Sequence, residues 1–299
     1  MKIHLIDGTY ELFRAYFALP SLSAPDGREV AAVRGLIQTL LVLLRQDGVT
    51  HIACAFDHVI ESFRNDLFAG YKSGAGVPED LLSQFGLAEW AVSSLGIVVW
   101  PMVEFEADDA IATAAARWWD AAGVEQVIIC SPDKDLAQLV RDDRVIALDR
   151  RRNLILNEAE VMEKFGVAPD SIPDYLALVG DSADGIPGIP RWGAKTTAAV
   201  LRRYGRIEQI PDDPSQWGVE VRGAKAIGAS LTEHREEALL YKKLATLRLD
   251  APISDTPDQL EWRGVYREEF YALCQELGFS RLMELPHRWA DEGRKMEDE

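Results

Sequence analysis

Nine carboxylates dominate the chemistry open to this sequence: Asp7, Asp57, Glu106, Asp108, Asp109, Asp133, Asp135, Asp181 and Asp184. Three short apolar runs, Lys2–Ile6, His51–Phe56 and Val127–Cys130, end in or close to an aspartate. A fourth, Ile97–Trp100, leads within a few residues to Glu106-Ala-Asp-Asp109. In an open parallel sheet the working crevice lies outside the carboxyl ends of the strands, so these acids are expected to converge. Converging carboxylates repel: at ~4 Å and an effective dielectric of ~20, each pair costs roughly 4 kcal/mol. Protons or cations must offset that, and a set this large favours cations. Oxygen donors without His or Cys suit hard ions, so Mg²⁺ or Mn²⁺ is expected and zinc is not. There are acids enough for two or more ions, the pattern of two-metal phosphodiester hydrolysis, in which the ions activate a water and stabilise the leaving oxygen. Some of the carboxylates are expected to act only through water.

Each acidic group taken singly has a plainer reading. Asp7, Asp133 and the Glu106–Asp109 group stand where helix N-caps are expected, and Asp is favoured there. Asp181 and Asp184, three apart, are expected to share a helix face. Capping alone does not explain why four strand exits and a later helical turn are all acidic. Two further features bear on a substrate. Gly185-Ile-Pro-Gly-Ile-Pro-Arg-Trp-Gly193 opens a helix, and backbone N–H groups at such a terminus attract phosphate without reading bases. Lys195, Thr196 and Thr197 fall in its first turn. Lys72, in a glycine-rich stretch, could stabilise charge developing on a scissile phosphate. A structural helix–helix turn and a solvated lysine are the plainer alternatives.

The elements that must position these residues follow from the pattern. Apolar runs alternate with helical patterns to about residue 150, which predicts an α/β fold with a mostly parallel, twisted sheet flanked by helices. Helices are predicted over Val33–Gln46, Ser83–Leu95 and Ala110–Ala122, with a final strand pair at Val145–Asp149 and Asn153–Leu156. Glycines at 70, 74 and 76 predict a mobile loop over 69–78. Beyond about residue 170 helices dominate: Asp174–Val179, a Gly/Pro turn, then Ala194–Tyr204.

The chain has 299 residues, 47% hydrophobic, with 49 acidic against 32 basic residues and a formal charge of −17. That balance alone argues against a nucleic-acid partner, because duplex binders carry a basic face. Basic residues do cluster locally, at Arg150–Arg152, Arg202-Arg203 and Arg222–Lys225. Cys54, Cys130 and Cys274 have neither metal-ligand spacing nor a disulfide framework, and are expected to be core residues in a reducing compartment. The first strand starts at the N-terminus and no long apolar span follows, so neither a signal peptide nor a membrane segment is expected.

With these residues together, the chain resembles the 5′-nuclease superfamily, in particular the 5′→3′ exonuclease domain of bacterial DNA polymerase I and related phage flap endonucleases. The resemblance covers roughly 3–285. It rests on Leu-Ile-Asp7-Gly8, Phe56-Asp57, Ser62-Phe63-Arg64, Tyr71-Lys72-Ser73, Glu106-Ala-Asp-Asp109 and Asp133-Lys-Asp-Leu-Ala-Gln-Leu139. It continues through Leu178-Val-Gly-Asp-Ser-Ala-Asp-Gly-Ile-Pro-Gly188, Gly193-Ala-Lys-Thr196 and Arg222-Gly-Ala-Lys225. It implies a PIN/5′-nuclease-like core over 1–170, with a mobile arch at about 62–85. A helical subdomain over 171–289 would contain a helix-hairpin-helix at about 174–204, and an acidic tail follows at 290–299.

By the same resemblance, all nine acids hold Mg²⁺ ions directly or through water, with Mn²⁺ as substitute, and Asp7, Asp133 and Lys72 are catalytic. Lys72 stands at the base of the arch. Gly188, Gly193, Lys195, Thr196 and Thr197 grip the duplex backbone, with K⁺ at the hairpin, and Tyr10, Phe13, Arg14 and Arg64 lie near the DNA. Three positions depart from the family pattern. Ala75 stands where a second basic arch residue is common, Gly185 where an asparagine is usual, and Arg191 where the hairpin has glycine. Loss of that glycine is expected to reshape the turn. The implied protein is a stand-alone, monomeric, cytoplasmic 5′→3′ exonuclease and flap endonuclease acting on DNA 5′ flaps or 5′ ends, and on RNA primers, in replication and repair. The rivals are a catalytically weak DNA-structure-binding protein and a PIN-type single-strand RNase.

Overall fold

The computed structural model describes residues 1–291, so the expected acidic tail lies, but for its first two residues, outside the described residues. Among the described residues there are six strands: β1 (Lys2–Asp7), β2 (His51–Asp57), β3 (Val98–Met102), β4 (Gln126–Cys130), β5 (Val145–Asp149) and β6 (Leu154–Leu156). The α-helices in the first half are α1 (Gly8–Ala18), α2 (Ala31–Leu44), α3 (Phe63–Leu67), α4 (Glu79–Leu82), α5 (Phe85–Ser94) and α6 (Ala107–Trp118). Those in the second half are α7 (Glu158–Phe165), α8 (Ile172–Val179), α9 (Ala194–Tyr204), α10 (Ala224–Glu233), α11 (Arg235–Ala245) and α12 (Arg267–Leu277). The chain divides into two compact units. One comprises residues 1–60, 74–130 and 250 onward; the other comprises 61–73 and 131–249.

The first unit is built on parallel strands in the order β3-β2-β1-β4. Parallel strands are covered on both faces, which is why β1, β2 and β4 read as nearly unbroken apolar runs. Ile3, Leu5, Ile6, Ala53, Cys54 and Val127 are all fully buried. The register sets Asp7 of β1 opposite Ala55 of β2, so the carboxyl ends of the two central strands finish almost level. Helix α6 begins at Ala107, three residues before the expected start, because Glu106 and Asp109 supply its cap. All three cysteines are buried and outside any disulfide, and burial pushes the Cys274 thiol up to about 12. That is the inert core chemistry the sequence suggests.

In the second unit β5 and β6 pair antiparallel around a turn in which Asn153 adopts a left-handed φ of 54°. Helices α7 to α11 close over one core that includes Leu176, Leu178, Val200, Leu201 and Trp217. Helix α8 stops at Gly180, whose φ of 93° no other residue adopts cheaply. The helix therefore ends before the acids that follow it. Asp181 and Asp184 do not share a helix face. They lie in a tight loop closed by reciprocal backbone hydrogen bonds of 2.7 Å between Asp181 and Ile186.

Segment 61–73 carries α3, capped by Ser62 and Asn65. Here the structure corrects the placement of Arg64 among DNA contacts. The side chain is 1% exposed; its Nε donates to the Leu244 carbonyl at 2.8 Å and its Nη2 to the Thr246 carbonyl at 3.3 Å. Stacking on Phe63, 4.6 Å from the ring centroid, completes the packing. Long side chains with fixed donor geometry suit this bracing of a helix end. Among the described residues no helix is long and apolar enough to cross a membrane.

Replacing Arg64 with Met keeps the apolar stem but strands the buried Leu244 carbonyl and removes the bond to the Thr246 carbonyl. Arg64→Met is expected to lower unfolding free energy by about 2–4 kcal/mol, read from the urea midpoint; an unchanged midpoint would contradict the bracing role.

Candidate metal centre

The two units each present a group of acids. In the first unit, Asp7 ends β1 and caps α1, accepting the Tyr10 N–H at 2.8 Å. Asp57 ends the neighbouring strand; its N–H donates to Thr9 Oγ1 at 2.8 Å and its Oδ1 accepts the Ala107 N–H at 2.8 Å. Glu106 precedes α6, and its N–H donates to Asp109 Oδ2 at 3.0 Å. Asp7, Glu106 and Asp109 are buried, whereas Asp57 and Asp108 are half-buried. Helix α1 also carries Tyr10 and Arg14, both half-buried. Arg14 Nε donates at 2.9 Å to the buried carboxylate of Glu11 and its Nη2 to Thr39 Oγ1 at 3.2 Å.

In the second unit the structure brings Asp135, Asp181 and Asp184 together, with one carboxylate oxygen from each lying within 4.8 Å of the others. Asp135 opens a short 3₁₀ turn, and its N–H donates to Asp133 Oδ1 at 2.9 Å. Asp181 Oδ1 accepts the Ala183 N–H at 3.0 Å. Two ammonium groups reach in: Lys72 Nζ lies 3.3 Å from Asp184 Oδ1, and Lys134 Nζ lies 2.7 Å from Asp181 Oδ2. The Lys72 backbone is fixed as well, its N–H donating to the Asp184 carbonyl at 3.0 Å and its carbonyl accepting Asn65 Nδ2 at 2.9 Å. Lys134 is the residue the sequence reading passed over. Its only local signal was its place between two acids.

Titration reflects the crowding. Desolvation, then the Asp133, Asp184 and Asp181 charges, hold Asp135 well above the usual carboxylate range, with Lys72 opposing. Desolvation also pushes Asp133 up, with Asp184 and Asp181 adding to it and the Asp135 N–H and Lys72 working against it. Asp133 presents an exposed surface, so solvent blunts its shift more than that of Asp135. Burial works against a charged Lys134, yet the Asp181 hydrogen bond and the Asp181, Asp135 and Asp133 charges raise its pKa, so it stays protonated.

The donor set fits a hard divalent ion. All the ligand atoms are carboxylate oxygens, and Asp135 Oδ1 is buried with no hydrogen-bond partner. A buried acceptor left in that state is costly unless something binds it.

The turn between α8 and α9 tests the remaining expectations. Arg191, where glycine was expected, keeps a left-handed φ of 72°, so the turn retains the glycine conformation rather than being reshaped. Gly188 is held by close approach: a Cβ there would lie 2.6 Å from the Gly180 nitrogen. Gly193 caps α9 with open space where a Cβ would stand. Lys195 is exposed and Thr196 half-buried, but Thr197 is 0% exposed. Its hydroxyl faces the interior, a correction forced by helical periodicity, which turns this position toward the core.

Comparison with known proteins extends this picture. Residues 2–166 match the family model described as 5′-3′ exonuclease, N-terminal resolvase-like domain, and residues 167–268 that described as 5′-3′ exonuclease, C-terminal SAM fold. DNA polymerase I of Bacillus caldotenax is 36% identical over 287 residues, covering 95% of this chain and 32% of that protein. DNA polymerase I of Mycobacterium leprae (strain TN) is 34% identical over 284 residues, covering 93% and 30%. The chain thus spans roughly a third of the length of these curated relatives. Phage T5 5′-exonuclease, solved with divalent metal ions (zinc) bound, superposes with a TM-score of 0.67 at 17% identity, covering 93% of this chain and all of that one. Flap endonuclease-1 from Methanococcus jannaschii gives 0.57 at 16%, covering 95% and 90%. These structural likenesses establish a shared fold.

Two outcomes follow from the geometry. A folded-state pKa raised above its unfolded value means that ionising Asp135 as pH rises destabilises the fold. Without divalent ions, Asp135→Asn should therefore raise Tm near neutral pH by about 2–4 °C, the shift of a 1 kcal/mol change in a domain of comparable size. The gain should shrink as pH falls through the raised pKa, and melts with added Mg²⁺ should stabilise the parent more than the variant. Restoring the usual asparagine is expected to be harmful. In Gly185→Asn the new Cβ would lie 2.2 Å from the Gly70 carbonyl oxygen at a φ of 74°, and a loss of about 1–3 kcal/mol is expected in urea unfolding.

Proposed function

The chain belongs to the 5′-3′ exonuclease family, and on that premise we propose that it is a structure-selective 5′ nuclease hydrolysing DNA phosphodiesters at 5′ flaps or 5′ ends. The observation that carries the reading is the Asp135, Asp181 and Asp184 cluster with its unpartnered buried oxygen. A purely structural loop has no use for three carboxylates packed this closely, because their repulsion is costly and the two neighbouring lysines leave Asp135 Oδ1 without a partner. Mg²⁺ is the ion proposed, with Mn²⁺ able to replace it.

When bound, divalent ions supply a water of lowered pKa and shield charge on the leaving 3′-oxygen. Asp135, Asp181 and Asp184 would hold such an ion, with Asp133 ordering the cluster through its bond to the Asp135 N–H. The acids of the first unit, Asp7, Asp57, Glu106, Asp108 and Asp109, are proposed as the second set, giving two or more ions in all. Lys72, fixed at backbone and side chain beside Asp184, would neutralise the scissile phosphate. Lys195 and Thr196 in the first turn of α9, with the backbone of Gly188 and Gly193, would grip the downstream duplex, and K⁺ at this turn belongs to the same reading. Tyr10 and Arg14 are proposed near the unpaired terminal nucleotide. The nuclease core is assigned to residues 1–170, and residues 171–289 supply Asp181 and Asp184 as well as the duplex grip. A monomer that also removes RNA primers completes the proposal.

The test uses end-labelled flap, gapped and blunt substrates with Mg²⁺ or EDTA. Mg²⁺-dependent cutting near the 5′ junction is expected; binding without cutting on any substrate would favour a DNA-structure-binding protein, and cutting confined to single-stranded RNA a PIN-type RNase. Asp133→Asn should lower cleavage by roughly 100-fold while leaving DNA affinity and its salt dependence unchanged. Full cleavage by the purified variant would remove Asp133 from the site.

A further inference from the structure

Lys134 has no role in the reading so far, although it stands between Asp133 and Asp135. Its ammonium is the nearest cation to Asp181, 2.7 Å from Oδ2. The other oxygen of that carboxylate, which is 2% exposed, accepts the Ala183 N–H. The chain itself thus occupies Asp181 on both oxygens, in contrast to Asp135 with its unpartnered Oδ1. Within this unit Asp133, Asp135, Asp181 and Asp184 face two ammonium groups, Lys72 and Lys134. Two ammonium groups do not serve four carboxylates, and the unpartnered Asp135 Oδ1 is the acceptor left for a divalent ion. Any further divalent ion on these oxygens meets a like charge already seated on Asp181. A lysine is a compact charge on a flexible stem, and this one, 37% exposed, has solvent to retreat into.

We propose that Lys134 is a tethered counter-cation that competes with divalent ions for Asp181, limiting this cluster to a single ion until its ammonium swings away. The inference rests on the metal-binding reading above and adds to it a residue that sets how many ions the cluster holds and how tightly. Lys134 acts through Asp181 and is a positioning residue, with no contact to substrate required. In the absence of divalent ions the same ammonium relieves the repulsion that the carboxylates exert on one another, so one side chain carries out both tasks.

The test is Mn²⁺ binding by the full chain, followed by calorimetry and by loss of the free-ion paramagnetic signal, with no substrate present. Lys134→Met should bind Mn²⁺ roughly 10-fold more tightly in its weakest phase and take up one additional equivalent, while Lys134→Arg should behave as the parent. Lys134→Gln keeps an N–H donor for Asp181 without the charge and should match the Met variant, which guards against a folding defect in either. Weaker or identical Mn²⁺ binding by folded Met and Gln variants would overturn the role of Lys134 while leaving the metal site intact. No Mn²⁺ binding by the parent would overturn both.

Discussion

Electrostatic repulsion among desolvated carboxylates is the constraint around which the second unit is arranged. Asp135 and Asp181 are buried beside Asp184, and at such spacing like charges in a protein interior cost several kcal/mol unless something offsets them. The chain uses three devices within its own sequence. Lys72 and Lys134 supply positive charge, backbone N–H groups of Asp135 and Ala183 donate to the acids, and Asp135 resists ionising. None of these satisfies Asp135 Oδ1. That residual cost is tolerable in a marginally stable protein only where function uses it, which is why the site reads as built for a cation.

Helix capping and metal binding turn out not to be competing explanations for the acids. Asp7 caps α1, the Glu106 and Asp109 pair caps α6, and Asp57 accepts a backbone N–H at the entrance to α6. Each such carboxylate has two oxygens with several lone pairs between them, so a backbone bond on one side leaves acceptor capacity on the other. Capping also fixes the rotamer. A ligand held by its own backbone loses less entropy on binding, the general advantage of a preorganised site.

The Gly/Pro turn after α8 shows geometry outlasting sequence. Gly180, Gly185 and Gly188 all take left-handed φ values and bring backbone segments within contact distance. Arg191 takes the same region at 72° although it carries a side chain. Its strain is sustained by neighbours that fix the loop from both sides. Trp192 is buried and donates to the Ile227 carbonyl at 3.2 Å, and the Pro190 carbonyl accepts Ser230 Oγ at 2.6 Å. Packing against α10 thereby holds a conformation that the local residue disfavours.

The sequence by itself determined the strands, several of the helices, the parallel sheet of the first unit and the placement of acids at strand exits, because side-chain period and capping preference are local properties. It also determined the family, through ordered motifs spread along most of the chain. What it could not settle were the fates of individual long or polar side chains. Arg64 looked like a DNA contact until Leu244 and Thr246, far along the chain, were seen to accept its protons. Thr197 is turned inward by the core it packs against, and Asp181 and Asp184 meet in a loop that an early helix stop at Gly180 creates. Lys134 gained its meaning only from Asp181, distant in sequence and 2.7 Å away in space. Residue type and spacing state what chemistry is available; only folding decides which charges become neighbours, since burial and pairing depend on residues that the local sequence does not contain.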